Sequence, residues 1–107
     1  MRLQRYTIIT KLKPDKIEHY IELHNRIWPE VVALGHQAGL RNYSIHQIGT
    51  YLFSYYEYVG NNYEADMAWK NSHDIVKKWQ VATGECFDWV TDADKTITPH
   101  EIFYHEF

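Results

Sequence analysis

Apolar and polar positions along this chain change period several times, and each change marks an element. In residues 3–12, Tyr6, Ile8 and Leu12 fall on one side with Thr7 and Ile9 between them, the alternation of a strand. Lys13-Pro14-Asp15 then opens a helix, with proline at a permitted first-turn position and an acid that complements the dipole. Ile17, Ile21, Leu23 and Trp28 supply its expected buried stripe. Pro29 removes a backbone donor and clashes with the preceding turn, so the helix must kink or end beside Trp28. Val31, Val32 and Leu34 carry the helical pattern on, to an end near Gly35 or Gly39. Residues 41–48 and 51–59 alternate again and are joined by Gly49-Thr50, a β-hairpin. Gly60-Asn61-Asn62 breaks the second strand, and residues 63–71 and 74–83 read as two helices interrupted at Ser72-His73. Residues 88–99, with Asp92, Asp94, Thr96 and Thr98, read as a loop, and residues 101–107 as a final strand.

The order β-α-β-β-α-β is the ferredoxin-like α+β layout, an antiparallel sheet with its helices on one face. That leaves one sheet face bare. Two copies covering each other's bare faces form a dimeric α/β barrel, so a homodimer is expected, with a pocket between helices and sheet in each half.

At 107 residues the chain is expected to form one domain, 1–107. Eleven basic against fourteen acidic residues, with no basic stripe, argue against nucleic acid or an anionic membrane as partner. No apolar run approaches membrane-spanning length, and Met1-Arg2-Leu3-Gln4-Arg5-Tyr6 carries no apolar signal core, so a cytoplasmic location is expected. Cys86 is the only cysteine, which rules out an internal disulfide. In the absence of a secretion signal, the glycosylation sequon Asn42-Tyr43-Ser44 reads as chance. Nine tyrosines and four tryptophans supply rings with polar tips, suited to stacking on a sugar or to a wet subunit interface.

The chemistry concentrates in residues 20–30. Tyr20 and His24 are four residues apart and so stack on one helix face, one turn apart, just before the break at Trp28-Pro29. An imidazole, with an ordinary pKa of about 6.5, holds or releases a proton near neutrality. A metal site is not expected. His19 and His24 are five apart on a helix, and His100 and His105 are an odd number apart on a strand, so neither pair converges. The glycines form no phosphate-cradling loop, and Cys86 has no base beside it in the sequence. Glu57 reads as a solvated charge at a strand end.

The run Tyr20-x-x-x-His24-Asn25-x-Ile27-Trp28-Pro29-Glu30 resembles, nearly residue for residue, the first helix of the L-rhamnose mutarotases. The resemblance extends from the first strand through Asn42-Tyr43, Glu57, Trp69 and Trp79 to Glu101-Ile102-Phe103-Tyr104. It implies a cofactor-free and metal-free enzyme that interconverts the α and β anomers of a monosaccharide, a free 6-deoxy-L-hexose. It also implies His24 as proton donor, with Tyr20, Tyr43 and Trp79 around the sugar. Gln80 stands where the family has the second indole of a Trp-Trp pair, and an amide there is expected to bind the sugar through a hydroxyl, which brings L-fucose into view beside L-rhamnose. The fold alone also accommodates cofactor-independent monooxygenases, haem-binding enzymes and non-catalytic sugar-binding dimers.

Overall fold

Pro14 sits where its missing N–H costs nothing, in a short 3-10 turn (Pro14–Lys16) leading from strand β1 (Gln4–Leu12) into helix α1 (Ile17–Asn25). The computed structural model describes residues 3–88 and 97–107. Trp28 is extended (φ −69°, ψ 126°), as the residue before a proline must be, and helix α2 (Pro29–Gln37) restarts with Pro29 in its first turn. Arg26 closes α1 by donating its N–H to the carbonyls of Glu22 and Leu23. Of the two expected caps for α2, Gly39 takes the role, at φ +104°, while Gly35 is buried inside the helix.

Strands β2 (Leu40–Ile48) and β3 (Tyr51–Tyr58) form the hairpin, with Gly49 at φ +58° in the turn. Helices α3 (Tyr63–Asn71) and α4 (Asp74–Gly84) follow, then a two-residue strand β4 (Phe87–Asp88). Asn62 caps α3, its side-chain oxygen accepting the Ala65 N–H at 3.1 Å. The sheet is antiparallel in the order β2-β3-β1-β4, which is the ferredoxin-like α+β fold. No helix among the described residues is long and apolar enough to cross a membrane.

The expected final strand over 101–107 does not form. Residues 98–107 carry no strand; the fourth strand is Phe87–Asp88, paired with Leu12 and Lys11, and Ile97 makes a single bridge to Ile9. A strand pattern needs a neighbouring strand to take its hydrogen bonds. The terminal segment is instead tied down by side chains: Arg5 donates to both oxygens of Glu101 at 2.8 and 3.1 Å and stacks 3.4 Å over the Tyr104 ring. The buried stripe of α1 also differs from expectation. Ile21 is exposed, and the inward face is Ile17, Tyr20, Leu23 and His24. The loop expected over 88–99 falls largely outside the described residues.

Alternation in β3 separates the two sheet faces. Leu52, Ser54, Tyr56 and Tyr58 are buried under the helices, whereas Tyr51 and Phe53 are exposed on the bare face. Leu52 joins Leu12, Tyr20 and Cys86 in the core, with Ile17, Leu23, Ile45 and Phe87 packed around them. At the other end of β3, the Tyr58 hydroxyl donates to Asp66 on α3 and accepts the Asn62 N–H at 2.9 Å. This lock is crowded: a Cβ on Gly60 would lie 2.5 Å from Tyr58 Cζ and 2.7 Å from Asp66 Oδ2.

In β2 the register slips between Arg41, opposite Glu57, and Ser44, opposite Tyr55. Asn42 and Tyr43 together face the single residue Tyr56, a β-bulge with Asn42 at φ +50°.

Gly60→Ala is expected to push Tyr58 and Asp66 apart and to destabilise the fold by about 1–3 kcal/mol, the cost of overpacking a filled site. Gly84→Ala, at the end of α4 with open space around the new Cβ, should be neutral or slightly stabilising. Thermal melting of the two variants checks this; equal midpoints contradict it.

Candidate active site

The inward face of α1 and the break that follows it carry the first wall. Tyr20 is buried, and its ring lies 4.3 Å from that of His24, centroid to centroid. His24 Nδ1 is 2.9 Å from the Tyr20 carbonyl oxygen. A carbonyl only accepts, so Nδ1 carries the hydrogen and Nε2 is the nitrogen left to exchange a proton. Trp79, buried on α4, meets the His24 ring edge-on at 5.1 Å and the Trp28 ring edge-on at 5.2 Å. Trp28 holds this place because Pro29 fixes the direction in which the chain leaves α1.

The second wall comes from the sheet. Tyr43 stacks on Tyr56 at 5.0 Å, and its hydroxyl lies near the buried Ser54. The bulge permits this. In unbroken alternation after Arg41, Tyr43 would point to the bare face; the extra residue turns it under the helices. Tyr43 is 54% exposed, so its ring forms an open side of the site while its hydroxyl reaches inward to Ser54. Tyr6 and Tyr63 continue the wall, stacked on each other at 4.5 Å, and the Tyr56 and Tyr63 hydroxyls are 2.5 Å apart.

These phenols are strong holders of their protons. Burial, reinforced by the neighbouring Tyr43, raises the Tyr20 hydroxyl well above its ordinary value. Burial also raises Tyr43, with Tyr63 adding to it and Ser54 opposing it. Tyr56 is raised by burial and by its bond to Tyr63. Each hydroxyl therefore remains a neutral donor or acceptor near neutral pH, and none is poised to act as a phenolate base.

Of the residues singled out from sequence, the structure brings Tyr20, His24, Tyr43 and Trp79 to one face of the sheet, under the helices. Gln80 is not brought into this cluster: it is exposed, and its side-chain amide donates to Asn71 Oδ1 at 3.0 Å. Glu57 is not a free strand-end charge; it accepts hydrogen bonds from Asn42 and Tyr55. Ser54, Tyr56 and Tyr63 were not singled out. Their signal was present in the even positions of β3 and the first residue of α3, but alternation does not distinguish a site wall from a core. Cys86 is fully buried, and burial pushes its thiol up, away from reactivity. Among the described residues no group of three or more His, Cys, Asp or Glu is placed to hold a metal ion. A cavity of about 440 Å³ lies apart from His24, between β1 and the terminal segment, and its cation, Arg5, is already paired with Glu101.

The chain is similar to known proteins over nearly its whole length. The family model for L-rhamnose mutarotase matches residues 5–105. An L-rhamnose mutarotase of Sinorhizobium fredii is 29% identical over 106 residues, covering 96% of this chain and 98% of the relative. A crystal structure of an L-rhamnose mutarotase from Formosa agariphila superposes with a TM-score of 0.76 at 28% identity, covering 96% of this chain and 99% of that one. A putative antibiotic biosynthesis monooxygenase from Nitrosomonas europaea superposes at 0.62 with 15% identity over 91% of this chain and 86% of that one, a likeness of fold alone. The match of the family model across the chain, together with the helix carrying Tyr20, His24 and Trp28, places this protein in the L-rhamnose mutarotase family.

Proposed function

We propose that this protein interconverts the α and β anomers of L-rhamnose, with His24 as proton donor. The carrying observation is the His24 imidazole, fixed by its Nδ1–H bond to the Tyr20 carbonyl and set between the Tyr20 and Trp79 rings. Mutarotation requires a proton at the ring oxygen as the C1–O bond breaks and removal of a proton from the anomeric hydroxyl. The open-chain aldehyde then turns about C1–C2 and closes on the other face. No redox cofactor is required by that chemistry, since no atom changes oxidation state, and the proton transfers are within reach of side-chain acid–base groups.

The division of labour follows from the proton affinities. The raised phenols of Tyr20 and Tyr43 stay protonated and can hold sugar hydroxyls, which leaves proton transfer to His24: the imidazolium, with a hydrogen on both nitrogens, gives its Nε2 proton to the ring oxygen and returns to the Nδ1–H form. Trp79 offers an apolar surface for the sugar's C–H groups, and Trp28 braces it edge-on. The contact that favoured L-fucose is not supported, because the Gln80 amide is engaged with Asn71. The reading includes a cytoplasmic location, compatible with a single, buried cysteine.

The reading also includes a homodimer. Ile48, Tyr51 and Phe53 on the bare face are 69%, 42% and 41% exposed, and Ile102 and Phe103 of the terminal segment 90% and 72%, large apolar side chains that a second copy would cover. Sedimentation at micromolar concentration is expected to give twice the chain mass, and a monomer alone would contradict the dimer.

His24→Ala should slow anomer exchange of L-rhamnose by about 10²- to 10⁴-fold, the usual contribution of a general acid–base group, with an unchanged circular dichroism spectrum. Tyr20→Phe should cost less, since it removes one hydroxyl and keeps the ring. Exchange read by saturation-transfer NMR checks both; a parent-like rate in His24→Ala would show that another group donates the proton.

A further inference from the structure

The bulge that turns Tyr43 under the helices is held from the opposite face of the sheet. Asn42 occupies the left-handed region at φ +50°, a conformation that costs most residues energy and asparagine less. A side chain in that conformation needs something to keep it there. Here the Asn42 amide donates to Glu57 Oε1 at 2.6 Å, and the Tyr55 hydroxyl donates to Glu57 Oε2 at 2.6 Å. Glu57 and Tyr55 are odd positions of β3 and belong to the bare face, whereas Tyr56 between them supports the Tyr43 ring from the helix side. One carboxylate thus joins the strained residue of β2 to two successive bare-face positions of β3, on either side of the residue Tyr43 stacks upon.

We propose that Glu57, acting through Asn42, is a positioning residue for the sugar reaction: it holds the β2 bulge and so sets the Tyr43 hydroxyl in the site. The clamp is charged near neutral pH, because the Tyr55 and Asn42 bonds, with Arg5 opposite, hold the Glu57 carboxyl below the usual carboxylate range against the opposing effect of burial. Tyr55 is correspondingly fixed as the donor, its hydroxyl pushed up to about 12 by burial and by the Glu57 bond. Without the clamp, Asn42 is free to leave φ +50°. A one-residue slip in β2 would then return Tyr43 to the bare face, since side-chain direction alternates at every residue. Glu57 touches nothing in the His24 cluster, so its effect must pass through the backbone of the bulge.

The proposal rests on Tyr43 as a sugar contact, and its test separates the two. With 3-fluorotyrosine placed at position 43, Glu57→Ala should move and broaden the ¹⁹F resonance, while Glu57→Gln, which keeps an acceptor for Asn42, should leave it near its parent position. In anomer exchange of L-rhamnose, Tyr43→Phe and Glu57→Ala should each slow the reaction by about threefold to tenfold, the scale of one lost hydrogen bond. Glu57→Ala added to Tyr43→Phe should cost nothing more, because both act through the same hydroxyl. An unmoved resonance in Glu57→Ala, or a full second loss in the double variant, overturns the clamp. A parent-like rate in Tyr43→Phe overturns the sugar contact instead, and the resonance then decides the clamp alone. Should Glu57→Ala not fold, Asn42→Ala, read in the same way, decides it.

Discussion

Successive side chains of a strand point to opposite faces, and in β3 that rule decides what each helix can touch. The even positions each meet a different part of the molecule: Leu52 enters the core with Tyr20 of α1, Ser54 lies beside the Tyr43 hydroxyl, Tyr56 bonds Tyr63 of α3, and Tyr58 bonds Asp66 one turn further on. The odd positions, Tyr51 to Glu57, are left to the other face. A strand that is apolar at one end and hydroxyl-bearing at the other thus grades from core to polar site within eight residues. Burying these hydroxyls is tolerable only because each finds a partner, and among the described residues no buried side-chain nitrogen or oxygen lacks one.

The same arrangement sets which hydroxyls of the cluster hold their protons. Phenols packed on phenols lose water around their oxygens, and a phenolate there would face the dipoles of its neighbours without solvent to stabilise it. Tyr20, Tyr43 and Tyr56 therefore serve as fixed hydroxyls. His24 differs because one of its nitrogens is committed to a backbone carbonyl and the other is not. Orientation of the imidazole is thus inherited from the helix itself, four residues being the spacing that brings Nδ1 over the Tyr20 carbonyl. The break at Pro29 completes this, since it lets Trp28 leave the helix axis and back Trp79.

Much of this was legible in the amino-acid sequence. The Pro29 break, the Gly49 turn, the hairpin and both later helices followed from local chemistry, and the motif around His24 pointed to the family that the whole chain matches. Other features were not legible, and three of them show the physical reason. The terminal residues 101–107 have a strand's alternation, but pattern does not reveal whether a neighbouring edge is available. Gln80 follows Trp79 directly, and adjacent helix positions point about 100° apart, so proximity in sequence did not mean a shared face. The inward turn of Tyr43 depends on a bulge whose only local signs were an asparagine and a carboxylate fifteen residues away. Simple alternation would have put Tyr43 on the wrong side of the sheet.

The central claim is that His24 holds its proton on Nδ1 for the backbone and offers Nε2 to the sugar. Long-range ¹H–¹⁵N correlation on histidine-labelled protein reads both nitrogens directly. The account predicts that the neutral His24 ring is the Nδ1–H tautomer and that saturating L-rhamnose shifts the Nε2 resonance while Nδ1 stays bonded. An Nε2–H tautomer, or an Nε2 resonance indifferent to the sugar, would contradict it.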